Sequence, residues 1–276
     1  MTSTSTGSGP SNIEVDQHFY TDQPTIREVP PVTGSQAMSD LHEGSHLNDQ
    51  YVEDGLFPNI DYDILPESFK KAICGHESKV ELYNNCFSEG QVEEQVVTIA
   101  AFLRADMLIK EVTLGMRIVN DGGAFALAQA LETNSSLLLL NLGVNNITHI
   151  GCNALADALV ANSSLEELWL DSNPIGDQGI QYLAKSLQSN YALVDLVLSA
   201  TNCGNQGAFA LSEALKVNAG LNEVHLDFNN IDDEGAEALA QAMMVNPRVE
   251  LKLHDNKLTL EKKQELKERF GGRFAC

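Results

Sequence analysis

Basic residues are scarce in this chain: 17 lysines and arginines stand against 39 aspartates and glutamates in 276 residues, a formal net charge of −22. Such a field repels polyanions, which excludes generic binding to nucleic acid or acidic lipid and leaves a basic protein as the attractive partner. Aromatic residues are few, 6% with a single tryptophan, so the interior must be built from leucine, alanine and valine. No apolar run approaches the roughly 18 residues of a spanning helix. The N-terminal Met1-Thr2-Ser3-Thr4-Ser5-Thr6-Gly7 lacks the charged and apolar regions of a secretory signal, so a cytoplasmic protein is expected. The five cysteines, Cys74, Cys86, Cys152, Cys203 and Cys276, are odd in number and scattered, which argues against a disulfide framework. Also missing are the phosphate-cradling G-x-x-x-x-G-K-[ST], a G-x-G-x-x-G after a strand, and H-E-x-x-H. The expectation is a protein that is not an enzyme, with no cofactor and no metal.

What is present is a repeat. Glycine recurs at Gly123, Gly151, Gly179, Gly207 and Gly235, and asparagine at Asn134, Asn162, Asn190, Asn218 and Asn246, each row in steps of 28 residues. Leucine keeps the same step at Leu127, Leu155, Leu183, Leu211 and Leu239. Each unit opens with period-2 spacing, as in Leu168-Trp169-Leu170, which predicts a short half-buried strand. It then shifts to spacing near 3.6 after a glycine read as permitting a tight turn, and closes at an asparagine read as tolerant of left-handed backbone. One strand and one helix of this size cannot bury their apolar faces alone, so the units must stack.

The pattern Leu165-x-x-Leu168-x-Leu170-x-x-Asn173-x-Ile175, followed by Gly179 and Leu183-Ala184-x-x-Leu187-x-x-Asn190, resembles leucine-rich repeats of the ribonuclease-inhibitor-like subfamily. The resemblance implies an α/β fold: a right-handed solenoid with an arc of parallel strands on its concave side and helices on its convex side. It also implies relatives among Ran GTPase activators, tropomodulins and the repeat domains of NOD-like receptors. Arg117 and Thr201 replace the strand-ending asparagine of this pattern in two units.

The expected organisation is a disordered acidic N-terminal arm over 1–62 and an N-terminal helix with a degenerate capping repeat over 63–107. Five to six repeats follow over 108–258, and a capping helix and tail over 259–276, the helix with a polar outer face and Leu260 and Leu266 as its apolar residues. Polar caps favour a monomer.

Strand alternation lets the open face be read in rows. The first, Glu111, Leu139, Glu167, Asp195, Glu223 and Glu250, is acidic at five of six positions; the next runs through Trp169, Val197 and His225; beyond it lie Asp171, Asp227 and Phe228. Trp169 is expected to project to solvent, ringed by carboxylates, as the anchor for a basic protein partner. Three other readings compete with simple partner binding. By resemblance the chain would regulate a small GTPase or actin, or act as a microbial effector on host proteins. A lesser one is a metal-dependent hydrolase built from Glu223, His225, Asp227 and His254, set against an open face without a closed pocket.

Overall fold

The structure, a computed structural model, describes residues 64–73, 77–87, 90–105 and 108–276; the expected acidic arm lies outside them. A first helix, α1 (Glu67–Ile73), is followed by strict alternation. In chain order come β1 (Lys79–Tyr83), α2 (Val92–Arg104), β2 (Glu111–Gly115), α3 (Asp121–Leu131), β3 (Leu139–Asn141) and α4 (His149–Ala161). Then follow β4 (Glu167–Trp169), α5 (Gly176–Leu187), β5 (Asp195–Val197), α6 (Asn205–Leu215), β6 (Glu223–His225) and α7 (Asp233–Val245). The last are β7 (Glu250–Lys252), α8 (Leu260–Phe270) and β8 (Phe274–Ala275).

The strands form one parallel sheet in the order β1 to β8. Pairing joins Glu111, Leu139, Glu167, Asp195, Glu223 and Glu250 in one row, and Thr113, Asn141, Trp169, Val197, His225 and Lys252 in another. This is the α/β solenoid of stacked strand–helix units that the resemblance implies. Between those rows, Leu140, Leu168, Leu196, Val224 and Leu251 point the other way and are fully buried against Leu127, Leu155, Leu183, Leu211 and Leu239 of the helices. Burial of each such leucine contributes about 2 kcal/mol, and only the stacked neighbour makes that burial possible.

The ends are closed by pieces that carry no repeat signature. α1 starts after Pro66 and lays Phe69 edge-on to Phe102 of α2, ring centroids 5.9 Å apart. At the other end β8, which the periodicity does not reveal, pairs with β7 and buries Phe274 in the leucine row. The two apolar residues of the closing helix differ in burial. Leu266 is fully buried, whereas Leu260, the first residue of α8, is 85% exposed because it lies on the outer side of the first turn.

The asparagine row after the helices has a different cause from the one anticipated. None of its members has positive φ. Instead each side chain is buried and bridges repeats: Asn162 Nδ2 donates to Leu131 O at 2.8 Å and Asn134 O at 3.0 Å, while its Oδ1 accepts from Leu165 N–H at 2.8 Å. The next members do the same in register. The glycine row is corrected likewise. Gly123, Gly151, Gly179, Gly207 and Gly235 all lack positive φ, and a Cβ at each would crowd both the preceding repeat and the side chain four residues earlier in its own turn.

Left-handed backbone occurs elsewhere, in a row that holds no glycine. Met116, Val144, Ser172, Ala200, Phe228 and Asp255, each just after a strand, have φ between 55° and 68°. A non-glycine side chain there costs about 1 kcal/mol or more, most for a β-branched residue such as Val144, whose side chain is largely exposed. Val144→Asn is therefore expected to stabilise the protein by about 1 kcal/mol, read as a higher melting temperature. A lower one would mean that the valine's packing outweighs its backbone strain.

Candidate binding face

The face opposite the helices is built by the short strands, whose outward residues alternate with the buried leucines. Glu167, Asp195 and Glu223 adjoin one another on β4, β5 and β6, spaced by strand pairing at about 4.8 Å. Like charges at that distance repel, so each stretch of the row depends on a cation. The structure supplies two. Lys79 of β1 reaches Glu111 Oε2 at 3.2 Å and Glu81 Oε1 at 3.0 Å. Lys252 of β7 seats its ammonium on Glu223 Oε1. That contact, helped by His225, holds the Glu223 carboxyl below its ordinary range.

His225 stands at the centre of the C-terminal half of the face. Its Nε2 is 3.2 Å from Glu223 Oε1 and 3.8 Å from Asp195 Oδ1, and its Nδ1 is 4.0 Å from Asp227 Oδ2. Asp227 is held by Ser199 Oγ at 3.4 Å and by the backbone N–H of His254 at 2.8 Å. The hydrolase constellation is thereby redrawn. Among the described residues, the metal-ligating atoms that come within 4.8 Å of one another belong to Asp195, Glu223 and His225. Asp227 and His254 do not join that group, His254 is exposed, and Lys252 already sits on the Glu223 carboxylate.

Around Trp169 the balance differs. Asp171 and Asp195 are both pushed above the usual carboxylate range by burial, and for Asp195 the neighbouring Glu223 and Glu167 add to the effect against His225 and Lys252. Asp171 fits its place because Gly143, beside it on the preceding repeat, has no Cβ: one would meet the Asp171 carboxylate. Trp169 is only half-buried between Asn141 and Val197, not projecting freely, and its Nε1 is shut off from solvent with no hydrogen-bond partner.

The remaining expected site residues are placed as follows. Leu139 and Val197 are half-buried on the face, Glu250 is exposed near its C-terminal edge, and Phe228 is 64% exposed in the left-handed row beside it. Sequence reasoning passed over Lys252 and Lys79 as site residues. The row position of Lys252 was readable once the one-residue shortening between Glu223 and Glu250 is counted, but Lys79 precedes the periodic region and has no register signal.

Residues 161–184 and 217–240 match the family model described as leucine rich repeat. Those two segments are similar to leucine-rich repeats, in keeping with the α/β solenoid of stacked strand–helix units described above. Among solved structures it is similar to leiomodin-1 actin-binding site 2, at 27% identity over 47% of this chain and 76% of that one, TM-score 0.43. It is also similar to the Rad7 and Elc1 complex of yeast, at 14% identity over 71% of this chain, TM-score 0.44; there it spans 54%, about half, of the matched chain. No curated protein matches the sequence. Among the described residues no helix is long and apolar enough to cross a membrane.

Proposed function

We propose that the protein binds a partner protein through the sheet face, with an arginine or lysine of the partner seated on Trp169 between Glu167, Asp171 and Asp195. Unbalanced charge supports this reading. Glu111 and Glu223 have lysines of this chain against them, whereas the carboxylates nearest Trp169 are burdened by burial and by each other. A cation arriving there gains the ring face and two or three carboxylates at once. Glu223, His225, Asp227, Glu111, Glu250, Leu139, Val197 and Phe228 form the surround, and the mechanism is steric and electrostatic, without bond chemistry.

The test is affinity capture from lysate with wild type beside Trp169→Ala, followed by titration of the captured partner at low and physiological salt. The variant is expected to melt within a few degrees of wild type and to bind about 2 kcal/mol, roughly 30-fold, more weakly. Affinity should also fall with salt. Equal affinity of both baits for the same partner would remove Trp169 from the interface and the function from this face.

A further inference from the structure

We infer that the turn from Asn173 to Asp177, which leads from β4 into α5, is where the repeat array opens first. The equivalent turns of the other repeats show what it lacks. Asn145, Asn173, Asn229 and Asn256 each donate to a carbonyl of the repeat before and accept from an amide of its turn, so that Ile147, Cys203 and Ile231 N–H all end on an asparagine Oδ1 at 2.9–3.0 Å. The residue that should serve the Asn173 turn is Thr201. Its hydroxyl is too short to cross and donates to Leu198 O within its own repeat at 2.8 Å. Ile175 N–H is left with a local bond to Asn173 O at 2.8 Å.

The repeat before fails it as well. Asp121 Oδ1 accepts from Thr148 and Gly151 N–H of the next repeat, Asp177 Oδ1 from Gly204 and Gly207 N–H, and Asp233 Oδ1 from Thr259 N–H. The row member that precedes this turn is His149. α5 is accordingly capped by Ile175 in helical backbone with no side-chain hydrogen bond, whereas α4 and α7 have Thr148 and Asp232 as side-chain caps and α6, capped by Gly204, has the Asp177 carboxylate of the repeat before on its Gly204 and Gly207 N–H.

A third tie is missing for a covalent reason. The turns are laced by Asn146 N–H to Val119 O, Asn230 N–H to Cys203 O and Lys257 N–H to Ile231 O, but the residue in that position here is Pro174, which has no N–H. What remains is a detour. Gly176 takes φ +64° and sends its N–H across to Thr201 O at 2.8 Å. Four residue identities, His149, Pro174, Gly176 and Thr201, thus converge on one turn. It directly follows Trp169 and Asp171, so its opening loosens the corner on which the binding face rests.

Native-state amide exchange on the full chain tests this. Amides of Ile175–Ile180 are expected to be at least about 30-fold less protected than their register equivalents in Ile147–Cys152 and Ile231–Ala236. Thr201→Asn and His149→Asp, made separately, are each expected to raise that protection about tenfold while leaving the other turns unchanged. Equal protection of the three turns in wild type would overturn the inference. So would a wild-type difference that neither variant reduces. Both readouts are independent of whether a partner binds Trp169.

Discussion

Asn218→Leu is expected to cost about 4 kcal/mol, the largest loss of any single polar change in the repeats. The substitution keeps roughly the side-chain volume and removes every polar atom from a site 2% exposed. Four backbone groups lose their partner: Leu187 O and Asn190 O, each 2.7 Å from Nδ2, and Gly220 and Leu221 N–H, 3.0 and 2.8 Å from Oδ1. An unmet buried group costs about 1–3 kcal/mol, and leucine leaves no room for a water to stand in. Since the ladder passes on through Asn218 O to Asn246 Nδ2 at 2.8 Å, the damage extends to the next repeat. A fall in melting temperature of roughly 10 °C follows for a domain of this size, checked by thermal and guanidinium unfolding. A loss below about 1 kcal/mol would mean that the ladder is decoration on an interface held by leucine alone.

Gly151→Ala is the second. A methyl there would lie 2.6 Å from Asp121 Oδ1, 2.9 Å from Ala124 Cβ and 3.0 Å from Ile147 Cγ2. Two of these belong to the repeat before, which could yield only by moving helix away from helix. The displaced Asp121 is also the acceptor for Thr148 and Gly151 N–H, so overpacking and loss of the cap add. The expected loss is about 3 kcal/mol. Gly272→Ala, where a Cβ would meet nothing within 4 Å, is the matched control and should be neutral in the same denaturation experiment. Equal behaviour of the two would show that the repeats can slide apart at little cost.

Much of the architecture was legible because a 28-residue period states the same local choice several times over. The strand and helix of one unit are each short and ambiguous, but Leu155, Leu183, Leu211 and Leu239 in identical places leave one arrangement that buries them all. Likewise the open-face rows needed only the alternation of strand side chains. The two periodic residues given local explanations were misread for one reason. Asn162 and Gly151 act between repeats, and what a residue touches 28 positions away does not show in its own backbone preference.

The sequence by itself determined the repeat, its register and the sign of the charge on the open sheet face, because periodicity and charge are properties of the chain read in order. Only the tertiary structure decided which of those carboxylates are answered by Lys79 and Lys252 and which are not, that Trp169 lies half-sunk with its N–H enclosed, and that β8 closes the sheet. The reason is that burial and ion pairing depend on distances across strands. Those distances exist only once stacking has brought residues from neighbouring repeats to within about 5 Å.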